Sequence, residues 1–108
     1  MPRLSARRAR ALRLEWSQFA LADREAIFDY IEADNPRAAV VIDDRIRKHV
    51  EQLRQFPESG RPGRVEGTRE LVIDRTPYIA AYQITRKTVR ILRVLHGARL
   101  WPEAISES

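Results

Sequence analysis

The chain has no cysteine and only two histidines among its 108 residues. Disulfides and thiolate metal sites are therefore excluded, and His49 and His96 are too few to build a zinc centre. The missing cysteines also fit a reducing compartment. Glycine is scarce, with four residues, and three of them (Gly60, Gly63 and Gly67) fall in one short stretch. No apolar run approaches the ~20 residues needed to cross a bilayer, so no membrane partner is expected. The N-terminus resembles a signal peptide only in being basic. Arginines at 3, 7, 8, 10 and 13 leave it without an uninterrupted apolar core, and a cytoplasmic address is expected. HExxH, a glycine-rich phosphate loop, a Ser–His–Asp order and any cluster of metal ligands are all missing. No cofactor is expected.

What is present is one domain's worth of chain, 44% hydrophobic, with a net charge of +5. The charge is unevenly spread. Residues 1–16 carry five Arg against one Glu, and 17–56 carry six basic against eight acidic residues. Residues 57–102 carry nine basic against four acidic, and the last six add two glutamates. Two positive flanks around a mildly acidic middle suit a polyanionic partner, nucleic acid or an acidic protein segment, or else a solvated arginine-rich surface.

Residues 1–11 carry no strand or cap signal and read as a disordered basic arm, either a nucleic-acid-binding arm or an extension outside the fold. Leu12–Trp16 alternates, with Leu12, Leu14 and Trp16 on one face, which predicts a strand. Ser17 stands at an N-cap position before a helix over 18–33, where Ala20, Ile27 and Ile31 form a stripe with Leu21 and Tyr30 beside it. Arg24 falls on that stripe, either snorkelling outward or marking a narrower one. Asn35-Pro36 restarts the chain as a second helix to about Gln55. Ala39, Ile42, Ile46, Val50 and Leu53 are its buried face, closed by Phe56, while Asp43, Asp44, Arg47, Lys48 and Glu51 should face water. His49 lies beside the apolar stripe and reads as structural or exposed.

Residues 57–67 form a loop. Strands at 68–73, 78–84 and 89–96, joined by short connections, predict an antiparallel meander on which the helix hairpin packs. In the last strand Val89, Ile91, Arg93 and Leu95 oppose Arg90, Leu92, Val94 and His96, with the helix-facing set undetermined. The tail after Gly97 reads as loosely ordered and anchored by Trp101, with 103–108 flexible. The fold class is α+β, β-α-α-β-β-β, with a domain over 12–102.

Arg69, Tyr78, Tyr82, Arg93, His96 and Arg99 sit on or beside this sheet, with Arg61, Arg64 and Arg75 in its loops. Arginines clamp phosphates and stabilise developing charge, and a histidine near neutral pKa serves as acid or base. Together they would suit a metal-independent ribonuclease using the RNA 2′-OH. Equally, Tyr78, Tyr82 and His96 would serve as core or sheet-edge residues, with the arginines solvating a surface.

The element order and the segments LEWS (14–17), DYIEADNPRAA (29–39), FPESGRPGRVEGTREL (56–71), TPYIAAYQI (76–84) and VRILRVLHGARLWP (89–102) resemble toxin subunits of the RelE/ParE superfamily of type II toxin–antitoxin systems. The resemblance implies a growth-arresting toxin held in a hetero-oligomer by a cognate antitoxin that covers a basic sheet face. RelE-like members cleave mRNA at the ribosome, which would make Arg69, His96 and Arg99 catalytic. ParE-like members bind DNA gyrase without chemistry of their own. This chain has no lysine along the 78–84 strand, ends in GARLWP where nucleases carry a tyrosine or His-Tyr, and shares RVLH with ParE-like members. It therefore leans towards gyrase inhibition, with ribosome-dependent mRNA cleavage as the alternative. Residues expected to contact target or antitoxin are Arg61, Arg64, Arg69, Arg75, Tyr82, Arg93, Arg99 and Trp101. A further alternative is a non-toxic basic nucleic-acid-binding module.

Overall fold

The computed structural model describes residues 11–99 and Ile105. The expectations for the 1–10 arm, for Trp101 and for the rest of the tail lie outside these residues. Strand β1 (Arg13–Trp16) leads into helices α1 (Gln18–Glu32) and α2 (Pro36–Glu51), then a 3₁₀ turn (Gln52–Arg54). Strands β2 (Arg61–Pro62), β3 (Arg69–Val72), β4 (Tyr78–Thr85) and β5 (Thr88–His96) follow. The sheet order is β1-β5-β4-β3-β2. The expected meander is antiparallel throughout. Strand β1 joins it in parallel, Arg13 to Trp16 opposite Thr88 to Ile91, so the sheet as a whole is mixed. The loop also contributes one unforeseen pairing, because Arg61 and Pro62 lie against Glu70 and Arg69.

Both helices begin where their caps stand. Ser17 accepts the Ala20 N–H at 3.0 Å, and Asn35 accepts that of Ala38 at 3.1 Å, each relieving one of the donors a helix start leaves unpaired. The helices bury Ala20, Ile46, Val50 and Leu53 against Tyr78, Ala80, Tyr82, Val89, Ile91 and Val94 of the sheet. Three expectations from helical spacing fail. Leu21 and Tyr30 are exposed, and Phe56 does not close the α2 face. Past the 3₁₀ turn the chain no longer follows the helical period, so the i+3 step from the buried Leu53 does not carry Phe56 inward. Asp43 does not face water freely. It takes Arg24 in a two-pronged pair, both contacts at 3.0 Å, while the guanidinium lies 4.7 Å over the Trp16 ring. Arg24 thus stays on its stripe by stacking and pairing.

The alternation expected for β5 is broken by a bulge. Tyr82 lies opposite Ile91 but Ala81 lies opposite Arg93, so Leu92 is the extra residue. One inserted residue exchanges the faces of everything beyond it. Val89 and Ile91 face the helices before the bulge and Val94 does so after it, while Leu92 and Leu95 join Ile79 and Ala81 on the other face. That face is covered in part by Val65 from the 57–67 loop and by Ile105, which is buried although it falls in a stretch expected to be flexible.

Ser17 ties the helix start to the bulge, since its hydroxyl also donates to the Leu92 carbonyl at 2.8 Å. We expect Ser17→Ala to cost about 2 kcal/mol, a cap and a buried hydrogen bond together, in urea denaturation. Asn35→Ala, which removes only an exposed cap, should cost about 1 kcal/mol or less.

Candidate functional site

Beyond Ile91, strand β5 has lost its β1 neighbour because the chain has turned into α1. Two side chains take over that edge. The Ser17 N–H donates to the Ile91 carbonyl, the Ser17 hydroxyl donates to that of Leu92, and Asp23 accepts the Val94 N–H at 2.9 Å. Asp23 also receives Arg93 through Nε at 2.8 Å and Nη2 at 2.9 Å, both side chains being largely buried. Arg93, expected at a binding surface, is thus a brace between helix and sheet.

On the face away from the helices, Glu70 is 2% exposed and fully engaged. Its Oε1 receives Arg61 Nη2 at 3.0 Å, and its Oε2 receives the Arg64 N–H at 2.9 Å with Arg64 Nε at 3.4 Å. Arg64 Nη2 also reaches the Gly97 carbonyl at 3.4 Å. This carboxylate holds the 57–67 loop over the sheet and brings Arg61 and Arg64 beside the apolar strip of Ile79, Ala81, Leu92 and Leu95. Nothing in the sequence singled out Glu70 or Asp23. The one signal was an acid placed among apolar strand residues, with arginines just upstream.

Arg69 and Tyr82 lie opposite each other on the helix-facing side and grip the start of the same loop. Tyr82 is fully buried. Its hydroxyl donates to the Pro57 carbonyl at 2.7 Å and accepts the Gly60 N–H at 2.9 Å. Arg69 Nη1 donates to the Gly60 carbonyl at 2.6 Å and to that of Glu58 at 3.3 Å. A Cβ on Gly60 would stand 2.8 Å from the Tyr82 ring and 2.9 Å from the Glu70 carbonyl, which explains glycine there. Tyr82, expected to touch a partner, has no surface with which to do so.

His96 and Arg99 stand at the far end of β5. The exposed His96 ring meets Tyr78 edge-on at 5.9 Å, and its Nδ1 accepts the Ala98 N–H at 3.2 Å. The Arg99 N–H donates to the His96 carbonyl at 3.0 Å. Arg75 lies in the β3–β4 turn with φ 62°, held through its carbonyl by Arg45 at 3.4 Å. Arg69 pairs with Tyr82, whereas His96 pairs with Tyr78 four residues along β4. At ~3.3 Å per residue and ~4.8 Å per strand, Arg69 and His96 are about 16 Å apart. Arg69, moreover, is occupied by loop carbonyls. The three residues considered as a catalytic set do not converge. Among the described residues no group of three or more His, Asp or Glu is placed to hold a metal ion. On the face away from the helices, the exposed Arg61 and Arg64 lie beside an apolar strip that is itself buried.

Residues 14–101 match the family model described as the ParE toxin of the type II toxin–antitoxin system, parDE. A candidate toxin of Sinorhizobium fredii, Y4kP, is 44% identical over 93 residues, covering 86% of this chain and 96% of its own. Toxin RelE2 of Caulobacter vibrioides is 39% identical over 85 residues, 79% of this chain and 94% of its own. Among solved structures, a chain of the chromosomal ParDE system from P. aeruginosa superposes with a TM-score of 0.75 at 31% identity, covering 81% of this chain and 97% of that one.

Two stability measurements follow from the pinned loop and the braced edge. Burial raises the Tyr82 and Tyr78 hydroxyls above the ordinary tyrosine value of 10.0. Their contribution is therefore complete below about pH 10 and is lost as pH climbs through the higher folded values. The urea midpoint should fall in that alkaline window. Tyr82→Phe should fall less steeply there, after a loss of about 2 kcal/mol at pH 7 from the orphaned Gly60 N–H. Asp23→Ala should cost about 3 kcal/mol, because it strips Arg93 and Val94 of a largely buried carboxylate.

Proposed function

The chain belongs to the ParE toxin family of type II toxin–antitoxin systems, and on that premise we propose that it arrests growth by binding DNA gyrase rather than by cleaving RNA. The observation that carries this reading is the dispersal of Arg69, His96 and Arg99. General acid–base catalysis needs its groups within hydrogen-bond reach of one reacting centre. Here one member faces the helices and pins a loop, while the other two lie about four residues along the sheet and two strands away. A binder needs only a surface, and the exposed Arg61 and Arg64, held over the covered strip of Ile79, Ala81, Leu92 and Leu95, offer part of one.

The antitoxin, on this reading, covers the same face. Charged side chains at an interface give orientation and partner choice. Arg61, Arg64, Arg75 and Arg99 are the proposed rim, with Arg93, Arg69 and Tyr82 shaping it from beneath. Trp101, outside the described residues, is proposed to continue it. A cytoplasmic site of action goes with such a target, and no described helix is long and apolar enough to cross a membrane.

RelE-like cleavage of ribosome-bound mRNA remains the second reading, favoured by the similarity to toxin RelE2 and by an exposed His96 next to Arg99. Two measurements separate them. Purified protein should inhibit supercoiling by gyrase, and cells expressing it without antitoxin should stop growing and signal DNA damage. His96→Ala should leave both effects within about twofold. A nuclease using His96 would instead lose ~10²–10⁴-fold in rate on that substitution, and primer extension would show codon-phased cuts in translated messages.

A further inference from the structure

Helix α2 buries Ala39, Ile46 and Val50 against the sheet and turns its opposite face outward. On that outward face Arg37, Val40, Val41 and Asp44 stand three and four residues apart, so their side chains form one rhombus on the helix surface. Val40 and Val41 are 59% and 46% exposed. Valine is stiff in a helix and favours it less than alanine, lysine or glutamate. Two of them side by side at the middle of an exposed face therefore do nothing for the helix itself.

The charges around them are arranged in opposite senses. Arg37, before the valines, is exposed and has no ion-pair partner among the described residues. Asp44, after them, is held only by exposed cations of its own helix, Arg47 at 2.7 Å and Lys48 at 3.2 Å. The rhombus thus has a cation at one tip, a carboxylate at the other and two valines between.

Such a pattern is its own complement. A two-fold axis through the midpoint of Val40 and Val41 lays a second α2 antiparallel across the first. The valines of the two copies then meet at the centre, and Arg37 of each copy meets Asp44 of the other, twice over. About 10 Å farther along the helix, the exposed Glu32 and Asp34 of each copy lie towards the other's Arg47 and Lys48. A parallel pairing would instead set Arg37 against Arg37.

We infer that the outward face of α2 is a dimer contact whose occupant is a second copy of this chain. The reciprocity of its charges about the valines is what an isologous contact requires and what an unrelated partner would not. Four side chains from each copy bury about 1,000 Å² in total, the size of a weak, reversible association, with Kd in the tens of micromolar. The contact lies across α2 from the sheet, so the dimer leaves both sheet faces open. It holds whichever target those faces take.

The test is sedimentation equilibrium of the full chain from ~1 to ~200 μM, a range that brackets this Kd. The parent should pass from monomer to dimer. Arg37→Glu alone, or Asp44→Arg alone, brings like charges together at both ends of the contact and should weaken it about tenfold or more. Mixing the two variants in equal amounts restores both ion pairs, one variant in each copy, and should return dimerisation to within about threefold of the parent. Val41→Lys should remain monomeric throughout, with its thermal midpoint retained because the position is exposed. A parent that stays monomeric to ~200 μM would overturn the contact. So would a dimer that survives Val41→Lys, or a mixture no stronger than its two components. Loss of antitoxin binding on Val41→Lys with a monomeric parent would assign the face to the antitoxin instead.

Discussion

The carboxylate of Asp23 is the contact on which the rest of the molecule depends. Strand β5 is flanked by β1 only as far as Ile91, and the backbone beyond it would otherwise present an unpaired edge next to a helix. Asp23 accepts from Val94 and from the Arg93 guanidinium, and Ser17 accepts and donates at the same turn of chain. One helix start thereby ends one strand pairing and continues another by side chains. The bulge at Leu92 sits at that handover and decides which residues of β5 face the helices. Its consequence is an apolar strip on the far side of the sheet, where strict alternation would have put a valine and a histidine.

The arginines divide into two populations. Arg61 and Arg64 close over a buried glutamate, Arg93 over a largely buried aspartate, Arg24 over Asp43 and Trp16, and Arg69 over loop carbonyls. These hold loops and helices to the sheet, and their charge is answered inside the chain. Arg13, Arg86 and Lys87, by contrast, stand exposed beyond the reach of those acids. A chain with a net charge of +5 therefore has a braced, nearly neutral interior framework and a more basic exterior. Reading all its arginines as one surface would merge two different kinds of work.

For the toxin family, this places the emphasis on recognition. A buried carboxylate fully satisfied by two arginines is not available as a base. A buried tyrosine with both hydroxyl functions engaged is equally unavailable as an acid. Arg61, Val72, Ile84 and His96 are among the sheet side chains left exposed, a mixed surface that suits a partner protein covering it.

Local chemistry made much of this legible in the amino-acid order. The caps at Ser17 and Asn35, the break at Asn35-Pro36, the alternation of β1 and β4 and the turn-rich 57–67 loop each announce an element, because neighbouring residues alone determine them. The chain's family was legible as well, in segments that run through the whole domain. The bulge was not, since an extra residue in β5 is defined only against its partner β4. Nor were the parallel pairing of β1, the exposure of Phe56, the burial of Glu70, or the roles of Asp23 and Tyr82. Each depends on residues that are distant in sequence: 70 positions between Asp23 and Arg93, 25 between Tyr82 and Pro57. Residue order by itself determined which segments are the two helices and the longer strands. Only the tertiary structure decided which charges neutralise one another, because that depends on where the chain returns.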